Sequence, residues 1–132
     1  MKTEEYNFSV NYPINIAARK VESLAASLKA TVHDIKPDSQ LSKYSMPEIC
    51  VELTGDSGFL GRVSWSGGGW AVQVHMNGQG NTTDVTLIAL GAGRGRVEST
   101  FAGGAFGNQS VGVSLGKSTE KAQAIAQALR NA

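Results

Sequence analysis

A chain of 132 residues with twelve basic and eleven acidic side chains has room for one domain, taken as residues 1–132, and carries a net charge of +1. That balance excludes long-range steering toward nucleic acid or an anionic membrane, since both need a concentrated positive field. Cys50 is the single cysteine, which rules out an intrachain disulfide, and a 41% hydrophobic content is sufficient for an ordinary packed core.

The first residues include Glu4 and Glu5 and no apolar run, so they do not read as a signal peptide. The longest charge-free run, residues 63–83, is too polar to span a bilayer, and a cytoplasmic location with no membrane partner is expected. Tyr6, Phe8, Val10 and Tyr12 alternate with polar residues, which is the period of a half-buried strand. Pro13 or Asn15 then opens a helix to about Lys29, with Ala17, Val21, Leu24 and Leu28 along one face. A short strand over 31–35 follows, and then a polar loop over 36–45.

All sixteen glycines lie at Gly55 or later, where they punctuate a long β segment. Its apolar sets are Ile49, Val51 and Leu53; Phe59, Val63 and Trp65; Trp70, Val72, Val74 and Met76; Val85 and Leu87; Val97 and Phe101; and Val111, Val113 and Leu115. Gly-rich connections between them predict that successive runs pair in order as a meander. The expected register sets Trp65 opposite Trp70, Phe59 opposite Met76, and Val74 opposite Val85. Ser118 reads as the N-cap of a final helix over Thr119–Arg130, whose stripe of Ala122, Ile125, Ala126 and Leu129 suits packing on a sheet.

The fold class is therefore α+β. It comprises an antiparallel meander of about seven to eight strands with an N-terminal and a C-terminal helix packed on one face. The element order resembles the helix-grip architecture, in which a curved sheet wraps a long terminal helix. A plain two-layer sheet carrying both helices fits the same order.

Residues able to carry chemistry are few. In the expected register His75 points away from the apolar set, with Asp84 directly across from it, and Leu60 separates His75 from Glu52. An imidazole beside a carboxylate suits acid–base catalysis, and it is equally an ordinary exposed cross-strand pair. Cys50 falls in a row with Arg62, Gln73 and Thr86, where an arginine would favour the thiolate. Trp65 and Trp70 suit either the lining of a ligand pocket or the core beneath a hairpin. The segment from Gly112 to Ser118 precedes a helix as a phosphate loop does, but it has three residues between its glycines where such a loop needs four. His33 and His75 with one cysteine do not make a zinc site, and no cofactor is implied.

Three functional readings follow. The first is a non-enzymatic binding domain for a small apolar ligand or a protein partner, held between the sheet and the terminal helix, with Arg62, Trp65 and Trp70 as candidate contacts. The second is a small enzyme built on His75 and Asp84, assisted by Arg62 or Glu52. The third is a structural subunit that forms a homodimer through the outer face of its sheet.

Overall fold

A computed structural model describes residues 2–34, 47–56, 69–91 and 114–131. In chain order they form β1 (Lys2–Val10), α1 (Ile14–Ser27), β2 (Thr31–Asp34), β3 (Ile49–Asp56), β4 (Gly69–Gln79), β5 (Thr82–Gly91) and α2 (Leu115–Arg130). The strands make one five-stranded sheet in the order β1–β5–β4–β3–β2, with every neighbouring pair antiparallel. The chain is α+β, and the described sheet has fewer strands than the seven to eight expected. The runs at 59–65, 97–101 and 111–113 lie outside the described residues.

Both helices lie on the same side of the sheet. α2 crosses β5, β4 and β1, and α1 packs against α2 and the sheet. Between them sits one apolar core of Val51, Leu53, Val72, Val74, Met76, Val85 and Leu87 from the sheet, Ala17 and Val21 from α1, and Ala122, Ile125 and Leu129 from α2. This is the face that the alternation in each strand dictates, because side chains two residues apart share a face. No helix among the described residues is long and apolar enough to cross a membrane.

The structure differs from the expected arrangement in three places, two of them in strand register. β3 pairs directly with β4, placing Ile49 opposite Met76 and Val51 opposite Val74, where Phe59, which lies outside the described residues, was expected beside Met76. In the β4–β5 hairpin Val74 faces Leu87 and not Val85, a shift of two residues. A shift of two keeps every side chain on its face, so apolar alternation cannot detect it. The turn decides it. Gln79 pairs with Thr82 across a two-residue loop, and Gly80 supplies the positive φ of 69° that such a loop takes at its first position.

The third difference is at the last helix, which begins four residues earlier than expected. Ser114 is the N-cap, its side chain accepting from the Lys117 amide, and Leu115 is helical where a strand was expected. Ser118 is instead buried inside the first turns, where its Oγ accepts the Ala71 amide at 3.0 Å. Trp70 packs into the helix-side core, and its neighbour on β3 is Gly55. A Cβ at Gly55 would sit 2.6 Å from the indole nitrogen, so this position has to be glycine for the ring to lie flat across the strand.

Candidate functional site on the second face of the sheet

The face turned away from the helices was expected to meet solvent, and over the central strands it does not. Cys50 and Glu52 on β3, Gln73 and His75 on β4, and Thr86, Ile88 and Leu90 on β5 are all buried there. On β1 the same face is open, with Glu5, Asn7 and Ser9 exposed. Glu52, Gln73 and His75 are each 0% exposed, an unusual placement for side chains that normally seek water.

Two adjacent rows of the sheet bring these groups together. One row runs Asn7, Thr86, His75, Cys50, and the next runs Glu5, Ile88, Gln73, Glu52, His33. Within them the polar atoms form a chain. The Gln73 amide nitrogen donates to Glu52 Oε1 at 3.4 Å, and Gln73 Oε1 lies 3.0 Å from His75 Nε2. Cys50 Sγ approaches the same imidazole nitrogen at 3.5 Å. Thr86 donates to Asn7 Oδ1 at 2.8 Å, which closes the row on the β1 side.

The chain leaves two ends open. Glu52 Oε2 and His75 Nδ1 are buried and have no hydrogen-bond partner among the described residues. An unsatisfied buried polar atom costs about 1–3 kcal/mol, and more when the group is charged. On the helix side the core side chains are apolar, and the open polar atom there is the neutral Tyr6 hydroxyl at its edge.

Burial also sets the charge states. It raises the Glu52 carboxyl to about 7, against a smaller lowering from the Gln73 hydrogen bond. It lowers His75 to about 4, so the imidazole is neutral at pH 7. Burial, reinforced by the Glu52 charge, pushes the Cys50 thiol up to about 12. A thiol held that high is not a nucleophile at neutral pH, even with an imidazole beside it.

The other expected site residues are placed as follows. Asp84 lies opposite Asn77, and Thr86 takes the place beside His75, so the expected His75–Asp84 cross-strand pair is not formed. Asp84 instead accepts a 2.6 Å hydrogen bond from Ser9 at the exposed edge. Trp70 belongs to the helix-side core, with Lys121 Nζ 5.9 Å from its ring. Arg62, Trp65 and Leu60 lie outside the described residues, as does most of the segment from Gly112. Glu52, expected to be separated from the imidazole by Leu60, reaches it through Gln73 alone.

Gln73 is the member that sequence reasoning missed as a functional group. The available signal was the pair of strand segments Cys-Val-Glu-Leu and Gln-Val-His-Met, each with two polar or reactive side chains on one face of a strand whose other face is apolar. Among the described residues, no three metal-ligating side chains gather to hold a metal ion. Comparison with protein-family models, with curated proteins and with solved structures finds no match for this chain.

Proposed function

We propose that this chain is a non-enzymatic binding domain that holds a small molecule against the second face of its sheet. The ligand's polar group meets Glu52 and His75, and its apolar part lies along Ile88 and Leu90. The observation that carries this reading is the pair of fully buried side chains, on neighbouring strands, that each present a polar atom without a partner among the described residues. Buried polar groups are nearly always satisfied, and those that are not call for a reason. A bound polar group is such a reason.

The space first considered for a ligand, between sheet and terminal helix, is taken up by Val72, Val74, Leu87, Ile125 and Leu129. The strand order, with α2 crossing the sheet, supports the helix-grip resemblance, but the ligand then lies on the opposite side from the gripped helix. The acid–base reading loses its dyad, because Asp84 is paired with Ser9 and is not placed beside the imidazole.

Native mass spectrometry of the purified chain tests the proposal. A retained small molecule that disappears in the Glu52→Gln and His75→Phe variants is the expected result. A ligand-free dimer would favour the structural-subunit reading. A ligand that persists in both variants would place the binding site elsewhere.

A further inference from the structure

We infer that the group bound at this site is a hydrogen-bond donor bearing positive charge, a primary ammonium, held between Glu52 Oε2 and His75 Nδ1. The inference rests on the binding-domain reading and adds the ligand's chemistry to it.

Polarity carries the argument. An amide has one donating end and one accepting end, and here both are used. The Gln73 nitrogen donates to Glu52, and its oxygen faces His75 Nε2. For that oxygen to accept, Nε2 must carry the imidazole proton, which leaves Nδ1 as a bare lone pair. The open atom of Glu52 is a carboxylate oxygen. With Glu52 ionised, both open ends of the chain are acceptors; the other open atom on this face, Asn77 Nδ2, is a donor two residues along β4 from His75. A carboxylate or phosphate ligand would set its own lone pairs against two others, whereas an ammonium brings three N–H donors.

Charge points the same way. By register, the second face carries Glu5 on β1, Asp84 on β5, His75 on β4, Cys50, Glu52 and Asp56 on β3, and His33 on β2. Among the described residues it carries no lysine or arginine. Among the described residues, a cation placed there meets carboxylates and no like charge. It also supplies the counter-charge that buried Glu52 does not have among the described residues.

The test uses the full chain and three probes of one shape: n-butylammonium, 1-butanol and n-butyrate. The readout is NMR of the Glu52 carboxyl carbon and the His75 ring nitrogens. Butylammonium is expected to shift both sets of signals, to bind at least about tenfold more tightly than butanol, and to leave Nδ1 unprotonated; butyrate is expected to do nothing. Because the ammonium stays charged well past neutrality, its affinity should rise about tenfold per pH unit up to about 7, where Glu52 ionises, and then level off. Glu52→Gln keeps an acceptor for Gln73 and removes the buried charge, so it should fold and lose the butylammonium response.

If butyrate shifts these signals and butylammonium does not, the ligand class is wrong and the binding-domain reading stands. A butylammonium response that survives Glu52→Gln overturns the inference, as does silence from all three probes. If the mass spectrum also shows no retained molecule, the binding-domain reading falls with it.

Discussion

The two faces of this sheet are both buried, and they are built from opposite materials. Toward the helices, Val72, Val74, Met76, Val85 and Leu87 meet Ile125 and Leu129 in an apolar layer. On the other side of the same strands, Cys50, Glu52, Gln73, His75 and Thr86 are buried as polar groups, two of them with an open polar atom. The first face is what the hydrophobic effect produces from alternating strands. The second works against stability: it desolvates a carboxyl and an imidazole and leaves a polar atom on each without a partner among the described residues. A fold gains nothing by this arrangement, so the polar face is the better guide to what the chain does.

Truncation should separate the two faces most sharply. Leu87→Ala removes a fully buried side chain from the centre of the apolar layer, and chemical denaturation should report a loss of about 2–5 kcal/mol. A loss below about 1 kcal/mol would mean that this layer is loosely packed. On the polar face, Gln73→Leu cuts the hydrogen-bonded chain and strands both of its ends. The expected cost is about 1–3 kcal/mol. Because the Gln73 bond lowers the Glu52 carboxyl, a carbon-detected titration should also find that group above its present value of about 7. A fall in that value would show that Gln73 does not donate to Glu52.

The smallest effect belongs to Asp84. Its bond to Ser9 is exposed, so Asp84→Asn should change stability by about 1 kcal/mol or less and leave ligand retention intact. Loss of the retained ligand in that variant would move the site toward the β1 edge and restore interest in the acid–base reading.

The apolar layer was legible in the sequence, because Tyr6–Tyr12, Ile49–Leu53, Trp70–Met76 and Val85–Leu87 alternate with the period of a strand. The helix over 14–27 was legible for the same kind of reason. The register was not. Pairing Val74 with Val85 or with Leu87 keeps the same faces, and only the conformation at Gly80 distinguishes them. That shift of two moved Asp84 away from His75 and brought Thr86 in. The start of α2 was misplaced because Ser114 and Ser118 are both good caps, and burial of the second beneath the Ala71 amide is a tertiary fact.

The burial of the second face was the least legible feature. Polar residues at alternate positions ordinarily mean solvent, and Glu52, Gln73 and His75 occupy those positions. No local propensity marks them as buried. The hint available was chemical, in that a cysteine, a glutamate, a glutamine and a histidine share one face of neighbouring strands.

Opposed titrations should make the polar face visible in bulk stability. Burial raises Glu52 from 4.5 to about 7, so the folded chain holds that proton more tightly than the unfolded one. Stability from this source is complete below pH 4.5 and is lost as the pH rises through about 7. Burial lowers His75 from 6.5 to about 4, so its contribution is complete above pH 6.5 and is lost as the pH falls through about 4. Between pH 4.5 and 6.5 the two slopes oppose each other, and the parent chain should show a nearly flat profile.

The most direct measurement is the difference in unfolding free energy between Glu52→Gln and the parent chain from pH 4 to pH 8. His75 is present in both, so its titration cancels in the difference. If Glu52 is buried without a counter-charge, the two chains should be nearly equal at pH 4, and the variant should gain steadily to about 3 kcal/mol at pH 8. A difference that stays constant with pH, or a variant less stable than the parent at pH 8, would show that the Glu52 charge is satisfied within the fold and would contradict the account.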